Sequence, residues 1–246
     1  MRSMCVVAAV TILATGSFAS AQDAALTPLQ IAVACAPPTS LAVPDRAASV
    51  IGAQDTVART LFDEHDMLIV NRGTRDGMRA GQEFFVRRPL NSGISDFKTR
   101  SIQTLAWIRV VAAADATAVA QVEHLCGAIL QGDYLEPFTA PTVPLNVNLE
   151  QPSGTLDFAA LGRVLFGVED HALGGAPDLM MIDRGSDQGV AAGARFAVYR
   201  DVHADGVPLA QVGELVIVST GQTMALARIT RSRDAVVSGD YVVPRK

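Results

Sequence analysis

Short apolar runs, broken by glycine and proline, dominate the pattern of this chain. "MLIVN" (Met67–Asn71) and "LMMID" (Leu179–Asp183) each end where a glycine-rich turn begins, as strands do. "EFFVRR" (Glu83–Arg88) and "RFAVYR" (Arg195–Arg200) follow. Their Phe84/Val86 and Phe196/Val198 pairs are two positions apart and share a sheet face. "GELVIVS", "TGQ" and "TMALARIT" (Gly213–Thr230) read as strand, turn, strand. Gly-Asp-Tyr at Gly132 and Gly239 opens a last short strand closed by Pro137 or Pro244, which suits a sheet edge. Five or so short strands in about 80 residues, with almost no amphipathic helix, predict an all-β fold of small closed or nearly closed barrels.

The same pattern is written twice. A shift of 112 residues lays Gly73, Gly77, Gly81, Phe84, Val86 and Arg88 on Gly185, Gly189, Gly193, Phe196, Val198 and Arg200. A shift of 107 lays Ala106–Pro137 on Gly213–Pro244 without a gap. The change of offset places five extra residues between Arg88 and Ala106. Two matched blocks in one order imply an internal duplication, too long and too few for a solenoid array. The expectation is two tandem β-barrels of SH3- or OB-like size, 58–138 and 156–246. An N-terminal arm (22–57) precedes them, and a proline-containing linker (139–155) joins them. The six glycines are read as structural turn residues. Ala80-Gly81 and Ala192-Gly193 fit type II turns, whose second central residue needs positive φ.

The first 21 residues read as a cleaved export signal, with a positive Arg2, an apolar Val6–Leu13 and a small-residue Ala19-Ser20-Ala21 site before Gln22. A spanning helix needs about 20 apolar residues, and this stretch breaks at Thr15-Gly16-Ser17. No later stretch is long and apolar enough, so the mature chain is expected in the periplasm or outside the cell, without a membrane span. Loss of Arg2 leaves one fewer than the 20 basic residues, against 25 acidic ones. That balance makes nucleic acid an unsuitable partner, because phosphate binding needs a basic face. In an oxidising compartment Cys35 and Cys126 read as one disulfide tying the arm to the first barrel; two buried free thiols are the alternative.

Reactive constellations are missing from the pattern. Gly-x-x-x-Gly-x-x-x-Gly is followed by no Gly-Lys-Ser/Thr, and its spacing is not that of a dinucleotide fingerprint. His65, His124, His171 and His203 are scattered without ligand spacing, and two cysteines 91 positions apart make no zinc pattern. No serine occupies a Gly-x-Ser-x-Gly elbow. Asp133 and Asp240 read as turn carboxylates bonding to backbone. Trp107, the single tryptophan, is a possible ligand platform but reads better as a packed strand residue. No catalytic residue, metal or cofactor is therefore assigned, and the expectation is a non-enzymatic protein.

"NRGTRDGMRAGQEFFVRR" (Asn71–Arg88) and "DRGSDQGVAAGARFAVYR" (Asp183–Arg200) resemble the small β-barrel modules of bacterial envelope proteins. The likeness is to the C-terminal domain of flagellar assembly protein T and to barrels found beside LysM domains. It implies a periplasmic, non-catalytic role in assembly or at the wall. The expected function is protein binding or scaffolding in the cell envelope, with cell-wall glycan (peptidoglycan) binding as the alternative and an enzyme of unknown type third. The candidate partner surface is the inserted segment Pro89–Thr104, where Phe97 would be an apolar anchor flanked by Lys98 and Arg100. A hairpin extension that only covers a sheet edge is the other reading of that segment.

Overall fold

The computed structural model describes residues 25–45, 47–55, 59, 61–92, 99–145, 154–203 and 206–246. The export signal read at 1–21 lies outside these residues. Six strands, β1 (Val50–Ala53), β2 (Met67–Val70), β3 (Glu83–Ser92), β4 (Thr99–Ala113), β5 (Ala118–Leu125) and β6 (Tyr134–Pro137), form one antiparallel sheet in the order β1-β2-β5-β4-β3-β6. The second half contains β7 (Gly162–Gly167), β8 (Leu173–Gly174), β9 (Leu179–Ile182), β10 (Arg195–Arg200), β11 (Ala210–Thr220), β12 (Ala225–Ser232), β13 (Val236–Val237) and β14 (Tyr241–Pro244). Six of these close a barrel, β10-β11-β12-β9-β7-β14, while β8 and β13 pair separately.

Opened between β14 and β7, the barrel has the strand order of the first sheet, strand for strand. The irregularities agree as well. Bulges fall between Trp107/Ile108 and Val110/Ala112 in one half, and between Glu214/Leu215 and Ile217/Ser219 in the other. Such bulges bend and twist a strand, which lets a small sheet curl onto itself. The outer strands of the first sheet also meet. Ser49 bridges Tyr134, Val50 N donates to Asp133 O at 2.9 Å, and Leu135 N donates to Ala48 O at 2.7 Å.

Alternation puts one face of each strand inside. Leu68, Val86, Ile108 and Val122 fill the first interior, and Ile182, Phe196, Leu215 and Ile229 fill the barrel. β5 keeps the alternating burial expected of a strand with one wet face. β9 and the middle of β11 are buried on both faces. Their outward residues Leu179, Met181, Val216 and Val218 form a second core with Phe166, Leu226 and Ala36.

A helix covers that outer core. α1 (Pro28–Cys35) precedes the strands, and its Leu29 and Val33 pack onto the barrel's outer face together with Leu41 and Val143. Thr27 starts α1 with a capping box. Its side chain accepts from Gln30 N, the Gln30 side chain accepts from Thr27 N, and Pro28 follows at the first helical position. No helix of the described residues is long and apolar enough to cross a membrane.

The last strand differs from its expected place at a sheet edge. β14 lies between β10 and β7 inside the closed barrel. Only Tyr241 and Val242 pair with β7, so Pro244 falls past the end of that ladder, where a missing N–H is tolerated.

Candidate functional site

Cys35 and Cys126 form a disulfide with their Cα atoms 5.3 Å apart. The bond ties the end of α1 to the first sheet, whereas the helix's apolar side chains lie on the barrel. α1 therefore bridges both halves of the molecule. One hydrogen bond repeats this link, with Thr104 Oγ1 of β4 donating to Ala36 O at 3.0 Å, while Gln30 Nε2 of α1 donates to Pro141 O, beyond β6, at 3.0 Å.

Pro89–Thr104 extends a hairpin through most of its described length. β3 and β4 stay paired out to Ser92 and Thr99, with ten and fifteen residues against six and eleven in β10 and β11. The inner part of the extension is packed, since Ser101, Ile102 and Thr104 are buried. Arg100 is exposed on β4, opposite Asn91. Phe97 and Lys98 lie outside the described residues.

The six glycines fall into two physical classes. Gly77, Gly81, Gly189 and Gly193 have φ of 82°, 87°, 78° and 87°. At Gly81 and Gly193 the backbone N–H donates to Val110 O and Ile217 O, both at 2.8 Å, so the turn is locked to the neighbouring strand. Gly73 and Gly185 have extended φ instead. A Cβ there would collide with the carbonyl oxygens of Ala114 and Gln222, so these positions need close approach of two backbones.

Arg88 and Asp133 form a two-bond ion pair, with both hydrogen bonds at 2.7 Å, and Asp133 Oδ2 also accepts from Leu130 N. Arg200 and Asp240 repeat it, with both bonds at 2.8 Å and Val237 N as the backbone donor. The hydrogen bonds that Arg200 donates to Asp240 hold its guanidinium above its usual pKa, with burial acting the other way. Each carboxylate is used up by its arginine and its turn, so the pair fastens the last strand to the β3 or β10 strand.

The cleft between the halves, about 310 Å³, is bordered by Pro37 and Thr39 after α1, Phe85 and Arg87 of β3, and Leu226 of β12. Arg87 lies over the Phe85 ring at 4.5 Å and donates to Glu136 at 2.5 Å. On the adjoining outer face Trp107 stacks on His124, centroids 4.5 Å apart, and lies 5.6 Å from Phe138. Trp107 is half-buried in this cluster.

His124 also approaches the disulfide, and the potential ligand atoms of Cys35, His124 and Cys126 lie within 4.8 Å of one another. With both sulfurs in the bond, no thiolate is available to ligate a metal. His171 reaches Glu169 only at 4.0 Å and His203 reaches Asp201 at 3.6 Å, both on exposed loops. His124 Nδ1 lies 3.1 Å from the exposed Glu64 carboxylate.

Of these features, sequence pattern locates the glycines, the cysteines and Asp133/Asp240. It misses the arginine partner of each aspartate, although Arg88 and Arg200 stand in matching slots of the repeat. It also misses the outer-face role of α1. Comparison with protein-family models finds no match, and no curated protein matches the chain.

Proposed function

We propose that this chain is an exported, non-enzymatic scaffold protein of the bacterial cell envelope, built from two tandem small β-barrels that arose by internal duplication. The common strand order, bulge positions and Arg–Asp pairs of the two halves support the duplication. The reading divides the mature chain into an arm (22–57), a first barrel (58–138), a linker (139–155) and a second barrel (156–246).

One observation carries the scaffold reading. α1 is bonded covalently to one half and packed on the other, which sets the two halves in a fixed relation. A body held this way presents its surface features at defined spacing and loses little entropy when a partner docks. The feature it presents is the long β3–β4 hairpin, absent at that length from β10–β11. The sequence between its two strands contains Phe97 and Lys98, and Arg100 follows in β4, a composition suited to an envelope protein as partner. Loops carried on rigid barrels vary without disturbing the core, which makes them common binding sites.

The test replaces residues 93–100 with a short Gly-Ser linker. Pull-down from native envelope extract should lose the partner while the melting temperature stays within about 2 °C, as for other surface changes. Full recovery with the shortened hairpin would move the site to the cleft at Phe85 and Arg87.

A second reading, binding of peptidoglycan glycan, draws on the Trp107–Phe138 surface, because sugars stack on aromatic faces. Co-sedimentation with purified sacculi separates the two: glycan binding requires pelleting that Trp107→Ala abolishes.

A further inference from the structure

The ends of α1 and β5 bring together two sulfurs and an imidazole. His124, in β5, and Cys126, just past its end, are two positions apart and so share a side of the strand. Cys35, the last residue of α1, meets them there, and the potential ligand atoms of all three lie within 4.8 Å of one another. The His124 ring is fixed from two directions. It stacks on Trp107 with centroids 4.5 Å apart, and its Nδ1 lies 3.1 Å from the Glu64 carboxylate. Metal-ligating histidines carry this kind of carboxylate partner, which orients the ring and makes it a stronger donor. All three residues are half-buried, and Cys35 borders a cavity of about 520 Å³ with Val168, His171 and Met180. That space gives a small dithiol an approach to the bond.

While the disulfide is closed, neither sulfur can ligate a metal. Reduction changes that. The thiolate of a dithiol reductant attacks one sulfur, and its second thiol resolves the mixed disulfide. The reductant leaves as a disulfide, and two electrons and two protons pass to Cys35 and Cys126, which become thiols. Contacts besides the bond keep α1 within reach: Leu29 and Val33 pack on the barrel, and Ala36 O accepts from Thr104 Oγ1 at 3.0 Å. A tetrahedral zinc ion holds sulfur and nitrogen ligands about 3.5–3.8 Å apart, so the site closes with each ligand atom moving by about 1 Å. Two thiolates also balance the charge of a divalent ion. The N/S donor set selects zinc over magnesium and calcium, which take oxygen ligands.

We propose that Cys35, Cys126 and His124 form a redox-gated site for a zinc-type divalent ion, closed to metal while the disulfide is intact and formed when a dithiol reductant opens it. On binding, each thiol gives up its proton to solvent and its thiolate bonds the metal. His124 supplies one ring nitrogen, and a water completes the tetrahedron. The ion then replaces the link between α1 and the first sheet that reduction removes. Because only the reduced chain binds, metal draws the thiol–disulfide exchange toward the dithiol by mass action. The second half has no counterpart, since Arg231 and Arg233 stand where the first half has His124 and Cys126. This site is separate from the hairpin, so the failure of either assignment leaves the other standing.

Cobalt(II), a visible stand-in for zinc, tests the site in the full mature chain, reduced with a phosphine and desalted without oxygen. One ion per chain should bind, with thiolate-to-cobalt charge-transfer absorption, tetrahedral d–d bands and quenching of Trp107, the single tryptophan. Zinc should displace it. The disulfide-bonded chain should show none of these changes. His124→Phe keeps both thiols and an aromatic ring against Trp107, and should weaken binding at least tenfold. Cys35→Ser loses no crosslink that reduction has not already removed, so it remains informative even if His124→Phe does not fold. It should weaken binding by at least the same factor. No cobalt bound by the reduced chain at micromolar concentration, the same spectrum from the oxidised chain, or unchanged affinity in either variant overturns the proposal.

Discussion

Tyr134 shows how a single side chain in this protein can matter through what it lacks. Its hydroxyl is buried with no hydrogen-bond partner, and burial raises the phenol's pKa above the ordinary 10.0, with the nearby Arg87 charge opposing. Ionisation therefore occurs first in the unfolded chain. Folding is unaffected by this group below pH about 10, and stability declines as pH rises from there toward the folded-state pKa. Tyr134→Phe should retain or gain stability at neutral pH, by up to about 1 kcal/mol, and should flatten the alkaline decline in a melting-temperature profile. A variant with the same alkaline slope would place the sensitivity elsewhere. At this scale the chain is legible where one residue type answers one backbone demand, as at Gly81 and Gly193. It is illegible where two residues must meet, as Arg88 and Asp133 do across 45 positions.

Among the elements, α1 was the least readable and has the most consequence. Thr27-Pro28-Leu29-Gln30 spells a capping box with proline at the first helical position, a start signal present in the chain. The eight residues that follow the cap are apolar nearly all round, so no stripe distinguishes a helix from an extended arm. Packing against Met181 and Val218 resolves the ambiguity. The disulfide then holds the helix in place by closing a loop across 91 positions. Replacing both cysteines by serine should cost up to about 4 kcal/mol in the chain-entropy picture. It should also open residues 36–45 to limited proteolysis. If protease protection of that segment survives the double substitution, packing alone secures α1. The strands were far easier to place. β2, β3, β5 and their counterparts β9, β10, β12 occupy apolar runs, and their starts match between the halves at the offsets of 112 and 107 read from the sequence.

At the scale of the whole molecule, the bridge made by α1 predicts coupled unfolding. Trp107, the one tryptophan, reports on the first half alone. Gly185→Ala would collide with Gln222 in the barrel, far along the chain from that reporter, and should cost about 2 kcal/mol or more. With the disulfide intact, this substitution should lower the midpoint of the Trp107 fluorescence transition. After reduction, the two halves should melt separately, and the same substitution should leave the Trp107 midpoint nearly unmoved. An oxidised protein whose tryptophan transition ignores Gly185→Ala would show that α1 does not couple the halves.

The strand positions, the turns and the doubled pattern were legible without a structure, because each depends on neighbours a few residues apart or on comparison of the chain with itself. The two-faced burial of β9 and β11, the attachment of α1 to one half and its packing on the other, and the approach of His124 to the Cys35–Cys126 bond were not. Each depends on residues from distant segments converging, and alternation along a strand says which side chains share a face but not what covers that face. "LMMI" and "LVIV" are apolar at consecutive positions and so call for cover on both sides; only the folded chain shows that a helix from the opposite end of the sequence supplies it.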